Sequence, residues 1–434
     1  MYKPGFILFL LILFIFLISC SPVNYSSLEN VEPVLENMES VEVINNKKIV
    51  VVENKKIEEK NKKTKPQLNL SPPLLNEISI ILPINKKYEI TEQFVNVIEL
   101  AVYQKKLQNI SFSIDLYKDS NDLHKIIQEK ISPGKIFIGP LDSKETTFLN
   151  QYCKKGVIFF SFSSKKDLAK ECVFLINFFP ENELKTLFNN FPSGSKIALL
   201  YPENTYGYTI NLLIDEIANQ SDSVIINRAS YNENLTNVRE AIKELGKYEL
   251  RKYELNRQKQ ILATKKDEQS KKRLKKLIKF QTTKNLDFTH ILLPDYGLRL
   301  LQVAPLLLYY DVDPDVVQFV GTGGWADPAF FFEPALQKAI FPGVQINKRE
   351  NLIIDYNKIY GSKLMRTSTL PYDMIGLLSY MYQKDISLND LYDLLSNYNI
   401  KFDGIDGGFY FKNNVIERNL DIVQISNGKT LKIN

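Results

Sequence analysis

From residue 77 onward the chain alternates short apolar runs with longer stretches whose apolar residues recur every three or four positions. Ile78 to Leu82 predicts a strand. Thr91 to Leu107 predicts a helix, because Phe94, Val97, Ile98, Ala101 and Leu107 share one helical face. Phe112 to Leu116 predicts a strand, Asn121 to Ile131 a helix, Lys135 to Ile138 a strand, Glu145 to Tyr152 a helix and Val157 to Phe162 a strand. A second series of strands is predicted at Lys196 to Tyr201, Ser223 to Ile226, Phe288 to Leu293 and Val316 to Val320. A period that switches between two and 3.6 marks an α/β chain whose parallel sheet is covered on both faces. Two such series predict two doubly wound, Rossmann-like lobes. Ligands of such sheets bind at loops beyond the carboxyl ends of the strands. Here those loops are 83–89, 139–143, 161–165, 203–208, 294–297 and 321–327, and two lobes presenting them to each other would form a cleft.

Residues 239–284 break the alternation. They carry 16 Lys or Arg against 6 Asp or Glu, a net charge of +10 in a chain whose total is +5. Val238, Ile242, Leu245, Tyr248, Leu255 and Leu262 draw an apolar stripe along a long helix. A polar break around Thr264 to Ser270 predicts that the helix folds back as a hairpin. Such an arm is either a solvated structural element or an electrostatic docking arm for an anionic partner.

The first twenty residues have another character. Lys3 precedes the apolar run Phe6 to Ile18, which ends in Leu17-Ile18-Ser19-Cys20. Thirteen apolar residues rise only about 20 Å as a helix, short of the roughly 30 Å hydrocarbon core, so a leader is favoured over a span. The four residues resemble a lipobox, which implies removal of residues 1–19 and lipid on Cys20. Ser21 follows, where lipoproteins kept at the inner membrane more typically carry Asp, so the outer membrane facing the periplasm is the expected address. Residues 20–76 are rich in Asn, Lys, Glu and Pro and poor in aromatics, which predicts a flexible tether. A coil of about 55 residues spans roughly 40 Å. Only Ile49 to Val52 interrupts it as a short apolar run.

Composition adds the core and narrows the chemistry. About 360 residues follow Asn76, and 44% of the chain is hydrophobic, enough for two domains. Catalysis leaves no pattern: there is no nucleophile elbow, no glycine-rich phosphate loop and no His or Cys spacing suited to zinc. No cofactor is called for. Of the two histidines, His124 lies in a polar helix start and His290 inside an apolar strand, as a satisfied sheet residue. Ser163-Ser164-Lys165-Lys166 fits a Ser-x-x-Lys pattern but lacks its partner motifs. Asp311, Asp313 and Asp315 read as a turn that ends a helix. Cys153 and Cys172 flank the strand Val157 to Phe162, whose extended length would hold its ends beyond the roughly 7 Å limit for a disulfide. Two buried thiols are therefore expected, with pairing left open. Nucleic acid is an unsuitable partner for an exported chain.

From Glu77 to its end the chain resembles the type I periplasmic binding proteins, the leucine-binding-protein-like superfamily. In that family the chain crosses between lobes three times. The resemblance implies a first lobe of residues 77–180 and 343–404, and a second of 181–342 and 405–434 that carries the helical insertion 239–284. Five segments narrow it: Tyr309-Tyr310-Asp311-Val312-Asp313-Pro314; Gly321-Thr322-Gly323-Gly324-Trp325-Ala326-Asp327-Pro328; Leu370-Pro371-Tyr372-Asp373; Phe402-Asp403-Gly404-Ile405-Asp406-Gly407-Gly408-Phe409; and Glu417-Arg418. Together they resemble the penicillin-binding protein activator lipoproteins. That resemblance implies a regulator which binds a peptidoglycan synthase and does no chemistry itself. Cell-wall glycan or a small molecule is a further possible ligand. The alternative is the substrate-binding lipoprotein of an ABC transporter for amino acids or a related polar ligand.

In amino-acid-binding members, hydroxyl residues of lobe one hold the carboxylate and a lobe-two acid meets the ammonium. Ser143 and Ser164, with Ser163 beside it, match the hydroxyls, and Tyr206 matches the tyrosine that packs over a ligand. Tyr296, Trp325 and Asp327 complete the cleft candidates. Gly323 stands where the acid would be, leaving Asp327 as a substitute.

Overall fold

The computed structural model describes residues 77–84, 88–107, 110–344 and 347–433. Cys20, the tether and the run Ile49 to Val52 lie outside them.

The first lobe opens with β1 (Glu77–Pro83), α1 (Tyr88–Gln104), β2 (Ser111–Tyr117), α2 (Ser120–Lys130), β3 (Ile136–Ile138), β4 (Ile158–Ser161) and β5 (Val173–Leu175). The second holds α3 (Pro180–Phe188), β6 (Lys196–Pro202), α4 (Thr205–Asn219), β7 (Val224–Tyr231), α5 (Val238–Leu245), α6 (Tyr248–Ala263) and α7 (Glu268–Leu277). It continues through β8 (His290–Leu293), α8 (Gly297–Tyr309), β9 (Gln318–Gly321) and β10 (Ile340–Gly343). The chain then returns to the first lobe with α9 (Asn347–Tyr360), α10 (Leu370–Gln383) and α11 (Leu388–Ser396). It ends in two hairpins, β11 (Phe409–Lys412) with β12 (Val415–Arg418), and β13 (Asp421–Ser426) with β14 (Lys429–Ile433).

Two seven-stranded sheets result, ordered β11-β12-β5-β4-β3-β1-β2 and β14-β13-β10-β9-β8-β6-β7. Pairing is parallel except where the hairpins join. The alternation of side chains sorts the second sheet's core into two faces. Ala198, Leu200, Ile291 and Leu293 pack with α5 and α8 on one side. Ile197, Leu199, Leu292 and Val320 pack with α3 and α4 on the other. The doubly wound expectation is thus met in both lobes.

Three expectations are corrected. The third crossing falls after Arg418 and not after Gly404, because β11 and β12 add to the first sheet beside β5. Residues 145–152 do not form a continuous helix: one turn, Ser143–Thr146, is followed by a 3₁₀ segment, Leu149–Lys155. Thr146 and Thr147 turn their hydroxyls back onto the carbonyls of Asp142 and Ser143, a competition that shortens helices. Cys153 and Cys172 form a disulfide, with Cα atoms 5.2 Å apart. The chain doubles back after β4, so both cysteines precede neighbouring parallel strands at the same sheet edge.

The insertion is a hairpin of α6 and α7 set on α5. Its six stripe residues are all buried. The long helix is divided at Gly246 and Lys247, where Lys247 adopts a left-handed backbone (φ 48°). Among the described residues no helix is long and apolar enough to cross a membrane, and no cluster of His, Cys, Asp or Glu could hold a metal ion.

Candidate functional site

The loops beyond β3 and β4 bring two lobe-one candidates together. Ser163 is fully buried, and its hydroxyl donates to the Ser143 hydroxyl at 2.8 Å while accepting from the Lys165 amide. Ser164 is exposed and takes no part. The hydroxyl pair is therefore Ser143 with Ser163. In lobe two, Tyr206 and Tyr296 meet edge to face, with ring centroids 5.9 Å apart. Burial raises the Tyr206 phenol above its ordinary value, and the nearby Glu183 carboxylate adds to the rise. Tyr296 remains half exposed.

Trp325 does not line a ligand surface. It has no exposed area, and its indole N–H donates to the Asp295 carbonyl at 3.1 Å within the lobe-two core. Asp327 does not replace the missing acid either. One of its oxygens caps the Ala329 amide, and the carboxylate is paired with Lys363 at 2.7 Å.

The place of the acid is filled from elsewhere. Glu183, on the first turn of α3, is 3% exposed, and it accepts the Gly323 amide at 2.9 Å. Its other oxygen takes Arg366 at 2.8 Å. Glu183 belongs to the helix that packs on the second sheet. Arg366 lies in a turn, Arg366–Thr369, on a segment tied to α1 through Gln93. The ion pair therefore joins the lobes. A Cβ at position 323 would strike the ends of both Glu183 and Arg366, so a side chain there would force the pair to move. A carboxylate does stand near the expected position, but it is already neutralised by a guanidinium and a peptide amide.

Two more buried pairs surround this contact. Arg418, on β12, holds Asp373, on α10, at 2.7 Å, and both are almost wholly buried. Arg349, on α9, holds Asp406 at 3.2 Å, and the Thr369 hydroxyl also donates to Asp406. Burial pushes the Asp373 carboxyl up against the opposing pull of Arg418. The Arg366 guanidinium lies 3.8 Å from the centre of the Phe178 ring, and Arg418 approaches the same ring at 5.2 Å. Phe178 is on the first crossing between lobes. Ile405 donates its amide to Asp373, and a Cβ on Gly404 would come within 2.7 Å of that carboxylate. The segments around Asp373, Asp406 and Arg418, separated by up to 45 residues, thus converge on the crossings. Sequence reasoning missed Glu183 and Arg366. Glu183 reads as an ordinary first-turn helix acid, and its partner lies 183 residues away.

No protein-family model and no curated protein matches the sequence. Solved structures do match. A Rhodospirillum rubrum protein assigned to branched-chain amino acid ABC transport aligns over 83% of this chain and all of its own, with TM-score 0.61 and 12% identity. The Rhodopseudomonas palustris BisB5 solute-binding protein, in complex with 3,4-dihydroxybenzoic acid, aligns over 82% of this chain and 95% of its own, with TM-score 0.54 and 11% identity. Haemophilus influenzae LpoA aligns over 85% of this chain and 60% of its own, with TM-score 0.54 and 13% identity. The chain has the type I periplasmic binding protein fold, with two lobes and a helical insertion in the second.

Proposed function

We propose that this chain is a lipid-anchored regulator of peptidoglycan synthesis, which binds and activates a penicillin-binding protein from the outer membrane, facing the periplasm. One observation carries the proposal: the ion pair of Glu183 and Arg366 fills the space beside Gly323, the position to which the resemblance assigns an amino-acid receptor's free acid. A buried ammonium group needs an uncommitted carboxylate. Glu183 is committed, and Asp327 is tied to Lys363. The five segments that resemble the activators add to this, as does the likeness of fold to LpoA, a penicillin-binding protein activator. The neighbours in fold are binding proteins and a regulator, which supports a role without chemistry.

The test is capture from detergent-solubilised envelopes, followed by glycan polymerisation and cross-linking assays of the captured synthase with the purified protein added. The proposal expects a penicillin-binding protein among the captured chains and a rise in its rate. Absence of any cell-wall synthase, together with unchanged rates, would sink it.

A second function, solute binding for an ABC transporter, draws on the Ser143 and Ser163 hydroxyl pair and the Tyr206 and Tyr296 rings. A ligand at a hundredfold excess over its Kd stabilises by about 2.7 kcal/mol. A thermal-shift screen of amino acids, peptides and cell-wall fragments tests this function, and no shift with any of them would count heavily against it.

A further inference from the structure

We propose that the outer face of α7 docks on an anionic lipid bilayer. The hairpin of α6 and α7 turns its inner side onto itself: Ser270 is buried, and Leu274 and Leu277 are half-buried against α6. Lys272, Lys275 and Lys276 therefore point the other way, and Lys279 follows one helical turn later. All four are exposed. None has an acidic partner among the described residues, although neighbouring Lys271 is paired with Glu268. At the tip of the hairpin Lys265 and Lys266 are exposed as well. The acids near them are engaged, since Asp267 caps α7 through the Ser270 amide and Glu268 holds Lys271. Glu249 and Glu254 lie in the first half of α6, towards its base.

The kind of cation selects the partner. The cations on this face are lysines, with Arg273 exposed on the flank of the same helix; the lysine ammonium is compact and strongly hydrated and lacks the planar fork that recognises a particular carboxylate. Lysine is also depleted from the cores of protein interfaces. A diffuse anionic surface needs neither property, and each lysine near such a surface adds to the attraction. Within Glu268–Leu277 no large apolar side chain is fully exposed, and Ile278 and Phe280, exposed beyond its end, flank Lys279, so contact is mainly electrostatic. Attraction of this kind is screened beyond roughly 10 Å in ordinary salt, which confines it to the arm itself.

The test uses residues 20–434 carrying Cys20→Ser, so that no lipid is attached; the three main cores lie wholly within residues 77–433. Sedimentation with vesicles of phosphatidylcholine containing phosphatidylglycerol is compared with sedimentation with pure phosphatidylcholine. The bound fraction is expected to be about tenfold higher on the anionic vesicles at low salt and to fall as salt is raised. The variant Lys272→Glu/Lys275→Glu/Lys276→Glu/Lys279→Glu loses this preference. The same four positions changed to Gln reduce it with an unaltered melting temperature, which separates docking from folding. Equal binding to both vesicles, or full binding by the glutamine variant, overturns the proposal. So does capture of an acidic protein through these lysines without any vesicle binding. The vesicles hold no synthase, so this result and the activation assay fail independently.

Discussion

His290 sits in the middle of the second sheet, paired to Ile197 on one side and Gln318 on the other. Its ring lies 4.4 Å from the centre of Phe191, and its Nδ1 bonds the Thr289 hydroxyl. Burial lowers its pKa to about 4 from the usual 6.5. Well above pH 6.5 the ring is neutral whether the chain is folded or not, so there the group adds no pH dependence. As pH falls from 6.5 towards 4, the unfolded chain takes up a proton that the folded chain refuses, and stability is lost. The loss is about 2–3 kcal/mol when complete. Urea unfolding of His290→Gln at neutral pH and near pH 4.5 should therefore show a shallower decline than the parent chain; parallel declines would assign the acid sensitivity to other groups. Gly323 gives a second prediction at this scale. Its missing side chain is replaced by Glu183 and Arg366, so Gly323→Ala forces the pair to shift and costs about 1–3 kcal/mol. An unchanged denaturant midpoint would mean that the pair yields freely.

Elements were legible where a period had room to repeat. Helix α1 and strands β1, β2 and β6 stand close to their expected bounds because 7 to 17 residues carry the pattern. Strands β5 and β10, with three and four residues, are not read from the sequence although β3, equally short, is, so length alone does not decide which short strands are legible. Missing β5 also hid the disulfide, since only a second parallel strand returns Cys172 to the level of Cys153. The bond spans 19 positions, and loop closure on that scale contributes about 3 kcal/mol. Cys153→Ala/Cys172→Ala should lose stability of that order, as should the parent chain under reductant; a double variant as stable as the parent would leave the bond without a folding role. The basic arm rests on Arg251. Its guanidinium, 3% exposed, donates to the carbonyls of Gly246, Tyr310, Asp311 and Thr283 and to the Thr282 hydroxyl. Arg251→Met takes this donor from the Gly246, Tyr310 and Asp311 carbonyls, at a cost of about 3 kcal/mol. Hydrogen exchange should quicken across α6 and α7 while the sheets stay protected, and uniform protection would place the anchor elsewhere.

At the scale of the whole molecule the lobes meet through charges. Glu183 with Arg366 and Asp327 with Lys363 each join one lobe to the other, and both partners of each lie far apart in sequence. No periodicity encodes such pairs, so the sequence could indicate an absent acid at Gly323 but not what fills its place. A binding protein that closes on a solute must pass between two relative positions of its lobes. Here a half-buried guanidinium and a buried carboxylate would have to part in that movement, and stranding the carboxylate costs up to about 3–5 kcal/mol. Arg366→Met should therefore destabilise the chain by that order, or spread the lobes so that water reaches Glu183. Small-angle scattering reports the spread as a larger radius of gyration, and unfolding reports the loss. Adding Glu183→Gln to Arg366→Met removes the stranded charge and should restore much of the stability, with the parent's radius. If Arg366→Met alone changes neither quantity, the pair does not hold the lobes, and a cleft that opens for solute becomes the better account.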